Sequence, residues 1–420
     1  MVTAPSPDST SFELHPLVAA VFAALDEHAV RWCLLRDDDL LSMGGDIDLL
    51  IEAGDFRRAC EAMAQTGFAR LPAWGHGSHA FFLAYHIETD SWIWLDCVTD
   101  VRFGRYQSVR VPVEAQLLAR RERRKGVAVL ALNDTFWMLL LHSLLDKESV
   151  PIRHRARLQQ LVSAAREEGV LARVLDPAAR IGWTFERLSA SIAAGDWQAA
   201  DALGALLRRR LVRRQPRELL RELGNRSLRV LQRNLFRSRG LLVALLAPDG
   251  AGKTTLAAGL AQSFPTYDGR VIYMGLYQGD AGRFVRRVPG LYLATRLAWV
   301  WARYIRARAH RAAGRLVVLD RYVYDALVPS DQPRPALWRA HRWLIARSLP
   351  APDLVLVLDV PGEVAFGRKG EHNPDSLDLQ RRCYLELSAR LPHAHVVDAT
   401  ADAENVRRRA VSLIWSCRAR

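Results

Sequence analysis

The chain has 420 residues, half of them hydrophobic, and its 59 Lys and Arg against 45 Asp and Glu give a formal net charge of +14. That length suits two or three domains with cores of their own, while no apolar run reaches the roughly 18–20 residues of a membrane span and the opening Met1 to Asp8 lacks the basic-then-apolar pattern of a secretion signal. A cytoplasmic protein is expected, and five scattered cysteines without CxxC spacing exclude a disulfide framework and a zinc site of that type.

Apart from Lys125, Lys147, Lys253 and Lys369, every basic residue is arginine. This bias runs through the whole chain and is read as background, so nucleic acid is not an expected partner. The four lysines are more informative, because a compact ammonium and a planar guanidinium do different work.

In chain order, Leu14, Leu17, Val18, Val21, Phe22 and Leu25 form one helical stripe in an amphipathic opening helix. Trp32 to Leu35 is a short strand. After a polar turn, Gly44-Gly45-Asp46-Ile47-Asp48-Leu49-Leu50-Ile51 begins a second. Residues two apart share a strand face, so Asp46 and Asp48 project side by side. His79 to His86 and Trp92 to Val98 read as paired strands across Glu88-Thr89-Asp90, and Asp96 stands in the second of them. A third carboxylate in an apolar strand calls for a partner.

From Glu114 to about Leu203 the pattern reads as helical, with Asp134 as the N-cap of a helix carrying Phe136, Leu139, Leu140, Leu144 and Leu145. His142 on that apolar helix is read as a hydrogen-bonded core residue. Leu203 to Gly240 is dense in arginine, including Arg208, Arg213, Arg221, Arg229 and Arg237. It reads as a solvated linker, with peripheral contact to an anionic membrane as the alternative.

Leu241 to Ala247 is a continuous apolar run, the signature of a strand buried on both faces. Pro248-Asp249-Gly250-Ala251-Gly252 breaks it, and Leu256, Leu260 and Phe264 then recur at helical spacing. A strand, a glycine turn and a helix start are the context in which GxxxxGK[ST] cradles phosphates. Ala247 stands at the first glycine of that pattern, while Gly252, Lys253 and Thr254 keep it. Further on come a strand at Val271 to Met274, a segment with Arg283, Arg286 and Arg287, and a long helix through Leu291, Leu297 and Tyr304. An apolar strand then ends at Asp320-Arg321-Tyr322, and another at Asp359. A strand that ends in Asp suits a Mg²⁺ of bound nucleotide, with Arg321 beside it for an acceptor phosphate.

On Asp249-Gly250-Ala251-Gly252-Lys253-Thr254-Thr255, Asp320-Arg321-Tyr322 and Pro352-Asp353-Leu354, residues 241–420 resemble thymidylate kinase and its nucleoside monophosphate kinase relatives. The resemblance implies a doubly wound parallel-sheet P-loop kinase domain moving the γ-phosphoryl of MgATP to dTMP or a related nucleotide. It implies ATP on Gly250, Ala251, Gly252, Lys253, Thr254 and Thr255, and Mg²⁺ on Thr254 and Asp320. Catalytic roles fall to Lys253, Arg321 and Asp249, with Arg368 and Lys369 as lid cations over the transferring phosphoryl and Arg381 and Arg382 as a second pair. No counterpart of the residues that recognise the base is evident near Arg303. Tyr324-Asp325 resembles a subgroup found with surface polysaccharide genes, so a sugar or sugar phosphate acceptor stays open, as does a homodimer.

The Asp-x-Asp pair with Asp96 resembles the nucleotidyltransferase superfamily, which implies Mg²⁺ on Asp46, Asp48 and Asp96 and nucleotidyl transfer. Arg36-Asp37-Asp38 stands where that pattern expects a glycine pair. The expected architecture is therefore α/β. A nucleotidyltransferase-like domain at 1–112, a helical extension at 113–203 and an Arg-rich linker at 204–240 precede the kinase domain at 241–420. A non-catalytic, nucleotide-gated binding protein is the remaining alternative.

Overall fold

The computed structural model describes residues 14–36, 46–104, 107–147, 149–168, 170–179, 182–214, 216–235, 240–276, 289–328, 336–370 and 373–419. Gly44, Gly45, Asp37, Asp38, Arg283, Arg286 and Arg287 lie outside the described residues. The chain divides into two compact units. One comprises Met1–His86 with Ser91–Leu235, and the other Phe236–Arg420 with Ile87–Asp90.

The first unit is built on a seven-stranded mixed sheet of order β3-β4-β5-β2-β1-β9-β8. Its strands are β1 (Trp32–Leu34), β2 (Ile47–Ile51), β3 (Ala69–Arg70), β4 (Ala80–His86), β5 (Ser91–Val98), β8 (Glu122–Arg124) and β9 (Val127–Val129). A separate ribbon pairs β6 (Arg102–Phe103) with β7 (Val109–Arg110). The opening helix Pro16–Glu27 packs Val18, Val21, Phe22 and Leu25 into the core, as its stripe requires. β2 and β5 run parallel with Asp48 opposite Asp96.

The helical reading of 113–203 is corrected at β8 and β9. Val127, Ala128 and Val129 are buried and β9 adds to the edge of β1, so a boundary at 112–113 would cut the sheet. Asp134 is not an N-cap either. The helix Leu132–Leu141 begins after Ala131, and Asp134, 1% exposed, accepts two hydrogen bonds from Arg120 at 2.7 and 2.9 Å. The expected linker at 204–240 supplies two helices of this unit, Trp197–Arg214 and Pro216–Leu235. Glu218 takes Arg102 at 2.5 Å, and the backbone of Asn225 lies so close to Gly75 that a Cβ there would sit 2.2 Å from it.

The second unit holds a five-stranded sheet of order β11-β12-β10-β13-β14, with β10 (Leu241–Leu246), β11 (Gly269–Tyr273), β12 (Leu316–Asp320), β13 (Leu354–Asp359) and β14 (Ala394–Asp398). Every pairing is parallel. From β10 the chain crosses to the edge strand β11, returns to β12 beside β10 and then passes to β13 and β14 on the other side, so the crevice where the direction changes lies at the C-terminal ends of β10, β12 and β13, where ligands of such sheets sit. Leu242 to Leu246 are each at most 1% exposed, the consequence of burial on both faces that the continuous apolar run predicts. Among the described residues no helix is long and apolar enough to cross a membrane.

Candidate functional site

The loop after β10 leads into the helix Lys253–Gln262. Gly250 (φ 83°) and Gly252 (φ 87°) are left-handed, and a Cβ on Gly250 would meet the Ala365 carbonyl at 2.2 Å. Ala247 has no positive φ, so the chain tolerates a side chain where the phosphate-loop pattern has its first glycine. Its carbonyl does local work instead: Lys253 Nζ donates to the oxygens of Ala247 and Pro248 at 2.8 and 2.6 Å. The ammonium is 6% exposed, and burial, reinforced by Arg321, lowers its pKa to about 8 despite Asp249, Asp325 and Asp320 nearby.

Parallel pairing sets Leu245 of β10 beside Asp320 at the end of β12. Thr254 Oγ1 donates to Asp320 Oδ2 at 2.7 Å, while Asp320 Oδ1 is buried without a hydrogen-bond partner among the described residues. A hydroxyl and an acceptor-only oxygen at a helix N-terminus fit a hard divalent cation. The residues expected to hold Mg²⁺ thus stand together.

Arg321 adopts φ 73°, and this left-handed residue starts the turn that carries the 3-10 helix Val323–Leu327. The turn brings Asp325 back to Arg321 at 3.5 Å, and Arg321 also pairs with Asp249. Tyr384, 4% exposed, donates its hydroxyl to Asp325 Oδ1 at 3.0 Å. Burial pushes the Asp325 carboxyl up, opposed by Arg321 and Lys253. For Asp249 burial pushes the same way, but Lys253, Arg321 and Lys369 more than offset it and hold the group ionised. The Arg303 guanidinium lies 5.9 Å from the Tyr273 ring and 5.6 Å from that of Trp299. Arg303 donates to the Gly275 carbonyl at 3.0 Å, and Trp299 is 57% exposed.

The two lid candidates separate. Lys369 influences Asp249, whereas Arg368 donates to the Ala399 carbonyl at 3.1 Å and lines a cavity of about 420 Å³ with Ala251, Thr255, Leu256 and Leu358. Arg381 is engaged by Asp359, with one contact at 3.1 Å. Sequence reasoning missed Trp299 and Tyr384. Trp299 carries a readable signal, an aromatic four residues before Arg303 on one helix face, whereas Tyr384 reaches Asp325 across 59 positions of sequence.

In the first unit Asp46, Asp48 and Asp96 do converge on one cavity. Asp48 is ion-paired with Arg36, and His79 Nδ1 meets both oxygens of Asp96 at 2.7 and 2.8 Å. Burial and the charge of Asp96 raise the Asp46 carboxyl, with Arg36 opposing. Among the described residues no three acidic, His or Cys groups are placed to hold a metal. These carboxylates, as paired, do not fit the expected Mg²⁺. His142 lies in the cavity wall, accepting from Arg36 at Nε2 (3.0 Å) and donating from Nδ1 to Asp146 (2.7 Å).

No family model matches the chain. A thymidylate kinase of Xanthomonas campestris pv. campestris is 32% identical over 197 residues, covering 42% of this chain and 83% of its own length. That of Xylella fastidiosa is 31% identical over 194 residues, covering 42% and 87%. The solved thymidylate kinase of Candida albicans aligns with 42% of this chain and 92% of its own at 18% identity and a TM-score of 0.32.

Proposed function

The chain belongs to the thymidylate kinase family, and from that premise we propose that its second unit transfers the γ-phosphoryl group of ATP to a nucleoside monophosphate, dTMP or a close relative. One observation carries the reading. Thr254 and Asp320 stand 2.7 Å apart beside the Lys253 ammonium, and a second Asp320 oxygen is buried and unengaged.

Phosphoryl transfer needs positioning and charge neutralisation more than covalent chemistry from the protein. The amides from Asp249 to Gly252 and the Lys253 ammonium hold the β- and γ-phosphates. Thr254 and Asp320 would hold Mg²⁺, which would supply charge neutralisation at those phosphates. The base and ribose of ATP occupy the cavity beside Leu256, Leu358 and Arg368. Arg321 binds the acceptor phosphate by exchanging part of its contact with Asp249 and Asp325, and Asp249, held ionised, accepts a hydrogen bond from the acceptor sugar. Trp299 offers a flat apolar face and Arg303 an edge of donors, a pairing that suits an acceptor base. Lys369 supplies the lid cation.

The test offers purified protein with MgATP a set of nucleoside monophosphates, sugars and sugar phosphates, with ADP release and product mass recorded. Phosphorylation of dTMP or another monophosphate is expected. ATP binding without transfer to any of them overturns the reading in favour of nucleotide-gated binding.

A further inference from the structure

The first unit carries a partly open cavity of about 1000 Å³ that this transfer does not use. Small-molecule sites run to roughly 300–1,000 Å³, so the space suits a compact ligand. Its wall carries charges of both signs, with Arg36 beside the strand carboxylates and Asp146 beside the helical cations. Strands β2 and β5 bring Asp48 and Asp96, with Asp46 leading into β2, and the helical segments bring Lys147 and Arg153. At the helical end burial, and after it Arg153, His142, Arg36 and Lys147, lower the His154 pKa to about 4.

Such a wall recognises an anionic group at one end and hydrogen-bond donors at the other. A divalent ion is not needed to bridge them, because Arg36 pairs with Asp48 and His79 hydrogen-bonds with both oxygens of Asp96 from within the chain. Arg36 is itself fixed by His142, which Asp146 orients. A metal entering between the carboxylates has to break this chain of partners and leave a guanidinium without its carboxylate. Gln107 Oε1, also in the wall, is buried without a hydrogen-bond partner among the described residues, one more acceptor awaiting a donor. Apart from the histidines, Phe103 is the one aromatic residue lining the cavity among those described, and at 2% exposure it presents little face for a nucleobase.

We propose that this cavity is a metal-independent site for a sugar phosphate, its phosphate held by Lys147 and Arg153 and its hydroxyls donating to Asp46 and Gln107. The site departs from the metal-dependent nucleotidyl transfer that the Asp-x-Asp resemblance implies, and it is independent of the phosphate loop.

Calorimetry on the full chain carrying Lys253→Ala, which removes the loop's ammonium, tests it with hexose 1-phosphates, hexose 6-phosphates, glucose, inorganic phosphate and ATP as probes, each in EDTA and in Mg²⁺. A hexose phosphate should bind equally well in both buffers. Lys147→Ala with Arg153→Ala should weaken it at least about tenfold, the loss expected for charge-assisted phosphate contacts. Gln107→Ala should weaken the hexose phosphate about threefold and leave inorganic phosphate unchanged. Circular dichroism checks that each variant is folded, and Arg153→Gln replaces the pair if it is not. Binding that appears only with Mg²⁺, a preference for ATP over every hexose phosphate, affinity indifferent to Lys147 and Arg153, or no binding by any probe would each overturn the proposal.

Discussion

Asp320 in the second unit and Asp96 in the first both lie on parallel-paired strands and face a cavity or crevice, yet their surroundings differ. One oxygen of Asp320 meets a hydroxyl and the other is buried and open. Both oxygens of Asp96 are met by His79, and its neighbour Asp48 is met by Arg36. A carboxylate on a strand is therefore not in itself a metal ligand. What decides is whether side chains of the protein already engage its oxygens.

The comparison breaks most visibly at Lys253. Lys253→Ala should lower phosphoryl transfer by about 10³-fold or more, while Asp46→Asn with Asp48→Asn leaves it within about twofold. Steady-state ADP release measures both, and a large loss in the double variant would erase the distinction between the units. Asp320→Asn should cost about 10²-fold in kcat and raise the Mg²⁺ concentration needed for half-maximal rate, whereas His79→Ala leaves the Mg²⁺ titration where it was.

Smaller effects sharpen the picture. Trp299→Ala should raise KM for the acceptor about tenfold and leave KM for ATP unchanged. Lys253 titrates at about 8 when no nucleotide is bound, and a triphosphate favours its ammonium. Binding above that pH takes up a proton, so ATP affinity should fall by up to about tenfold per unit as pH rises past 8. Calorimetry in buffers of different ionisation enthalpy reads the proton uptake directly. The smallest effect on transfer belongs to Arg36→Ala, which should leave it unchanged while lowering stability by about 1–3 kcal/mol, because the Asp48 side chain, only 18% exposed, loses its partner. A lowered melting temperature with intact transfer is the expected pair of results.

The comparison also marks how far the sequence could be read. The run Leu241 to Ala247 followed by a glycine turn gave away a buried strand and a phosphate loop because both are local: burial on two faces demands apolar residues in succession, and left-handed backbone demands Gly250 and Gly252. The strand ending at Asp320 was legible for the same reason, as was the alternation that sets Asp46 beside Asp48. Read from spacing alone, β8 and β9 were lost inside a helical stretch, since three-residue strands carry too few positions to show a period. The arginines of 204–235 read as solvated charge, and Arg217, Arg221 and Arg226 are exposed, while the helix that carries them also brings Glu218 to Arg102.

By itself the amino-acid order determined where a phosphate could be cradled and which strand carried its carboxylate, because both follow from neighbouring residues and backbone stereochemistry. Only the tertiary structure decided which charges meet. Arg36 and Asp48 face each other, His79 reaches Asp96, Tyr384 closes on Asp325, and Arg368 turns to the Ala399 carbonyl while Lys369 acts on Asp249. Ion pairing depends on distance in space and on burial, neither of which spacing along a chain records.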